Sequence, residues 1–104
     1  MYNRHRKRYL ARYALVHEEG GYEFLVDTHK LYGLSLITVR RGQHKCVVWI
    51  DEPEVEIEHS EFSEQETAAV KALAEQNADD LLMWFLTIRN DWKRDRLERN
   101  VLID

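Results

Sequence analysis

The order of apolar and polar positions divides this chain into a β-rich first part and a helical last part. From Arg8 to His17, Tyr9, Ala11, Tyr13 and Leu15 alternate with Leu10, Arg12, Ala14 and Val16, so both faces are largely apolar. A strand is expected there, with a short helix as the alternative that periodicity does not separate from it. Glu18-Glu19-Gly20-Gly21 reads as a turn, because paired glycines supply the positive φ angles of tight hairpins. Tyr22 to Asp27 reads as the returning strand. After a loop around residues 28–33, Leu34 to Arg40 and Lys45 to Asp51 make a central hairpin across the turn Arg41-Gly42-Gln43-His44, and Cys46-Val47-Val48-Trp49-Ile50 carries the strongest strand signal in the chain. Pro53 interrupts. Glu54-Val55-Glu56-Ile57-Glu58 then alternates strictly, with three carboxylates on one face and Val55 and Ile57 on the other, as expected of a half-buried strand at a sheet edge.

Two helices follow. Ser63-Glu64-Gln65-Glu66 has the capping-box form, in which the serine oxygen accepts from a free backbone N–H while the glutamate reaches back. Val70, Leu73, Ala74 and Asn77 then mark one helical face, with Asn77 as its polar end. Asn77-Ala78-Asp79-Asp80 places a cap and two carboxylates at the positive dipole end of a second helix, along which Leu81, Trp84, Phe85, Ile88 and Trp92 recur at core spacing. After Trp92 the pattern turns mostly charged. The predicted fold is α+β: an antiparallel sheet of four to five strands followed by two C-terminal helices packed on one face. A length of 104 residues suits a single domain, mainly β over 1–60 and helical over 61–100.

Composition agrees with a packed core, since 44% of the residues are hydrophobic and 11% aromatic. No stretch approaches the roughly 18 apolar residues of a membrane span, and the basic start, Arg4-His5-Arg6-Lys7-Arg8, has no apolar region behind it. Neither insertion into a membrane nor secretion is expected. The single cysteine, Cys46, falls in the apolar run of the predicted central strand, where a thiol acts as a small hydrophobe, and a cytoplasmic location follows.

Charge changes the picture more than composition does. The formal net charge of −4 hides a surplus of five positive charges over residues 1–45 and of ten negative charges over residues 46–88. Between Asp51 and Glu66 stand eight carboxylates and no lysine or arginine. Such segregation bears on association rather than on fold, and its blandest cause is a set of solvated faces.

Residues that could carry chemistry are sparse. The five histidines are scattered without zinc-site spacing, and the best cluster, His17-Glu18-Glu19 with Glu56, Glu58 and His59, requires distant strands to converge. Four dispersed glycines make no phosphate loop, and no catalytic set can be nominated around Cys46. No cofactor is expected. Basic residues cluster near both ends instead: Arg4, Arg6, Lys7, Arg8 and Arg12, then Lys93, Arg94, Arg96 and Arg99 with Arg89 before them, interleaved with Tyr2, Tyr9 and Trp92. They would meet phosphates while the rings met bases, although the acidic middle opposes a polyanion.

Across Val39 to about Asn90 the chain resembles a family of small bacterial proteins, a domain of unknown function encoded in gene pairs that look like toxin–antitoxin modules. The features that carry the resemblance are Lys45, Trp49, Asp51 and Pro53, then Phe62-Ser63-x-x-Glu66, Glu75-x-Asn77, Asp79-Asp80-Leu81-Leu82 and Phe85. The family's proline- and histidine-rich stretch before the central hairpin has no match here, where the chain reads Leu31-Tyr32-Gly33-Leu34-Ser35-Leu36. The resemblance implies a compact sheet backed by helices and a regulatory or defence-related role without an assigned chemistry.

The function expected from these observations is non-enzymatic: an antitoxin-like regulator, or an inhibitor from a mobile element such as a phage, binding a basic or nucleic-acid-handling protein through an acidic face of Glu54, Glu56, Glu58 and Glu61. The alternatives are a nucleic-acid-binding regulator that uses the basic ends, and a small metal-dependent hydrolase or nuclease. The chain is expected to be a monomer or a homodimer, the latter formed by extending the sheet at an edge.

Overall fold

A computed structural model describes residues 12–51 and 54–103, the last ten of these by backbone alone. Five strands, β1 (Tyr13–Glu19), β2 (Tyr22–Asp27), β3 (Leu36–Arg41), β4 (His44–Asp51) and β5 (Glu54–Ser60), precede two helices, α1 (Glu64–Gln76) and α2 (Ala78–Ile103). The sheet is an antiparallel meander in the order β1-β2-β3-β4-β5, so each strand pairs with its neighbours in sequence. This is the predicted α+β architecture, with five strands and two helices. The first segment is strand from Tyr13 onward, while Arg8 to Ala11 and Pro53 lie outside the described residues.

Local chemistry accounts for the turns and caps. Glu19 and Tyr22 pair across a two-residue turn in which Gly20 and Gly21 have φ of 62° and 83°, the left-handed region that a side chain resists. Ser63 caps α1 with an extended backbone, and its Oγ accepts from the Glu66 N–H at 3.2 Å. Asn77 closes α1: its N–H donates to Leu73 and Ala74 carbonyls, and its own carbonyl accepts from Leu81, so α2 starts without an intervening loop.

Several strand details differ from the reading of the sequence. β3 begins at Leu36 rather than Leu34, because residues 32–34 bend, although Ile50 N–H still donates to the Ser35 carbonyl at 2.9 Å. α2 continues through the charged stretch after Trp92 and runs to Ile103, close to the expected end of the helical part near residue 100. In β5, Ile57 lies opposite Val48 but His59 lies opposite Val47, so Glu58 is the extra residue of a β-bulge. Strict alternation therefore ends at Ile57. Glu54 and Glu56 share a face, and the expected third member of that face, Glu58, sits on the bulge instead.

The core lies between one face of the sheet and the two helices. Phe24, Val26, Ile37, Val39, Cys46, Val48, Ile50 and Val55 from the sheet meet Val70, Ala74, Leu81, Phe85 and Ile88 from the helices, all 5% exposed or less. Burying each large apolar side chain contributes about 1.5–3 kcal/mol before entropy is counted. Trp84, Trp92 and Leu73 pack against the margin of this cluster. The other face of the sheet belongs to a different set of residues, which cross-strand register puts in rows: Glu23, Arg40 and Lys45; Leu25, Thr38, Val47 and His59; Leu36, Trp49 and Glu56. None of these joins the helix-packed cluster. Among the described residues, no helix is long and apolar enough to cross a membrane.

Candidate interaction surface

The acidic segment sits on β5, an edge strand whose outer side has no strand beside it among the described residues. Its alternation turns Val55 into the core, and leaves Glu54 and Glu56 exposed next to β4 residues. Asp51 faces Glu54 and Trp49 faces Glu56 across the β4–β5 pair, and Leu36 of β3 continues the second row. The result is a half-buried apolar strip, Leu36 and Trp49, bordered by the exposed carboxylates of Asp51, Glu54 and Glu56. In the loop just before β3, Tyr32 is 56% exposed and Leu34 47% exposed.

Partners divide the carboxylates into two groups. In the first two strands and the α1 cap, most are engaged. Glu19 accepts from His17 Nε2 at 2.8 Å and from Asn77 Nδ2 at 3.1 Å, and these bonds, the His17 bond foremost, hold its carboxyl below the usual range against the opposing effect of burial. Asp27 is buried. Burial alone pushes its carboxyl up, but the guanidinium of Arg12, at 3.2 Å, and the His29 N–H, at 2.9 Å, together outweigh that and hold it low. Glu23 pairs with Arg40 at 3.2 Å, and Glu66 with Arg41 at 3.8 Å. Of the four predicted acidic-face residues, all are exposed, but Glu61 is already used: its Oε1 accepts from the Lys45 N–H at 3.0 Å, while its own N–H donates to the Lys45 carbonyl. Among the described residues, no cation pairs with Glu54, Glu56 or Glu58.

The remaining sequence-derived candidates are dispersed. The histidine–carboxylate cluster does not assemble, because β1 carries His17 and Glu19 on one edge of the sheet while β5 carries Glu56, Glu58 and His59 on the other, four strand spacings or about 19 Å away. Among the described residues, no group of three or more His, Cys, Asp or Glu is placed to hold a metal. Cys46 is fully buried, and its thiol is pushed up by that burial, opposed in part by a hydrogen bond with Ser60. Of the basic residues, Arg12 is spent on Asp27 and on the Tyr13 ring, and Lys93 is exposed on α2. Arg4, Arg6, Lys7 and Arg8 lie outside the described residues, as do the side chains of Arg94, Arg96 and Arg99. An open recess at the α1 N-terminus is lined by Arg41, His44, Glu61, Phe62, Ser63 and Glu66, of which Arg41 meets Glu66 and Ser63 is the cap.

Sequence reasoning found the carboxylates of this surface but missed Trp49. The run from Cys46 to Ile50 is apolar at every position, a pattern that shows both faces of the strand to be apolar without telling which of them the helices cover. No curated protein and no solved structure matches the chain. Residues 36–84, from β3 through α1 into the second turn of α2, match the family model of a domain of unknown function, DUF4160, which takes in Leu36, Trp49 and all four of the acidic-face residues.

Proposed function

We propose that this chain is a non-enzymatic binding protein whose acidic β5 edge docks a basic protein partner in the cytoplasm, as an antitoxin-like regulator of a bacterial gene pair or an inhibitor from a mobile element. One observation carries the reading. Among the described residues, Glu54, Glu56 and Glu58 stand exposed along one edge strand with no cation beside them, whereas Glu19, Glu23 and Asp27 on the far strands are each matched by a partner. Unneutralised like charges raise the free energy of the isolated fold, and a cationic partner relieves that repulsion while steering its own approach. The blander account, an edge kept soluble by charge, makes no demand on which carboxylates are present.

The test is reversal of the four charges, with Glu54, Glu56, Glu58 and Glu61 each changed to Lys. The expected result is loss of at least tenfold in partner affinity, measured against the partner captured from the native host, with the melting transition retained. If every captured partner still bound with unchanged affinity, the acidic edge would not be the interface. The nucleic-acid reading makes the opposite forecast: binding to DNA or RNA that falls steeply with salt and with neutralisation of Arg4, Arg6 and Arg8.

A further inference from the structure

Resting on that acidic-edge reading, we propose that the partner is held by an arginine-bearing segment of a protein, whose guanidinium stacks on Trp49 while its charge is met by Glu54 and Glu56. The argument begins with register. Leu36, Trp49 and Glu56 lie side by side across β3, β4 and β5 on the face opposite the helices, and Glu54 and Asp51 make the next pair along the same face. Directly opposed residues on one face are about 4.5–5.5 Å apart at Cβ, within the span of one guanidinium. An indole beside two carboxylates suits arginine better than lysine, because the planar fork stacks on the ring and still offers N–H donors to carboxylate oxygens at its edge.

Three observations favour this end of the face. Trp49 is half-buried, so part of its surface remains reachable. Leu36 beside it, with Leu34 and Tyr32 exposed in the preceding loop, adds apolar surface for the residues that flank the arginine in the partner. The cations of the same face are at its other end, where Arg40 is paired with Glu23 at 3.2 Å and Lys45 follows in the row, so nothing among the described residues competes for Glu54 and Glu56. Charge therefore commits the occupant to a cationic segment. A second copy of this chain would bring its own Asp51, Glu54 and Glu56 to a like-charged face.

The experiment titrates the full chain with a hexapeptide alternating arginine and valine, using the indole N–H resonance of Trp49, assigned by its loss in W49F, as the readout. A saturable shift of that signal, with the Leu36, Glu54 and Glu56 amides moving alongside it, is expected. Affinity should fall about tenfold in E54Q/E56Q and severalfold in W49L, which keeps an apolar, though smaller, side chain but removes the ring, and should fall again when lysine replaces arginine in the peptide. E64Q/E75Q, which removes two exposed carboxylates from α1, should leave it unchanged. Equal weakening by E64Q/E75Q and E54Q/E56Q would reduce the effect to unspecific charge and overturn the proposal. So would the absence of a saturable shift, or a Trp49 shift that depends only on protein concentration. If the four-lysine variant loses its host partner while W49L binds both partner and peptide normally, the acidic edge stands and the Trp49 seat falls. If charge reversal changes nothing, the acidic-edge reading itself fails.

Discussion

Asp27 and Glu19 give the acid side of this protein's stability its sign. Each carboxyl titrates lower in the folded chain than in the unfolded one, so the unfolded chain binds more protons in the interval between. Their contribution is complete above the ordinary carboxylate range and is lost as the pH falls through it toward the lowered folded values. Thermal unfolding between about pH 5 and pH 3 should therefore show a falling melting temperature, and Asp27→Asn should make that fall shallower. An unchanged slope in the variant would mean that the Arg12 pair carries no net stabilisation. Cys46 supplies a second measurement at this scale. Its sulfur is 0% exposed with the thiol pushed up, so a thiol reagent should modify it only as fast as the sheet opens. Rapid labelling under native conditions would contradict its place in the core.

At the scale of elements, the sequence reading did best where one residue type has a single physical use. Gly20-Gly21 announces a tight turn because few other residues take positive φ, and β2 follows with the bounds read from the sequence, Tyr22 to Asp27. Ser63 announces α1 in the same way. Removing its oxygen in Ser63→Ala should destabilise the protein by about 1 kcal/mol, read from the urea midpoint, because the Glu66 N–H loses its acceptor. No change would show the capping bond to be replaced by water. The misses share a cause. A bulge at Glu58 depends on how β4 and β5 fit together, and the start of β3 at Leu36 on how that strand meets β4, so neither has a marker of its own in the chain.

For the molecule as a whole, the determining fact is that two helices cover only one face of a five-stranded meander. That arrangement assigns every second residue of β4 to the core, Cys46, Val48 and Ile50, and leaves Val47 and Trp49 to the other face. It also divides the charges. The sheet brings Glu23 to Arg40 across β2 and β3, and Arg12, just before β1, to Asp27 at the end of β2, while β5 at the far edge meets no cation among the described residues. The candidate surface comes from this sorting and not from any single motif.

What the chain determined alone was the alternation of apolar and polar positions, the glycine turn, the serine cap and the density of carboxylates between Asp51 and Glu66, because each depends on residues close together in sequence. Tertiary structure decided which side of the sheet the helices bury, which carboxylates acquire partners and where Trp49 lies, because all three depend on contacts between different elements of the fold. Local pattern limits the faces a strand can have. Only packing selects which of them meets water, and with it the surface on which this protein can bind.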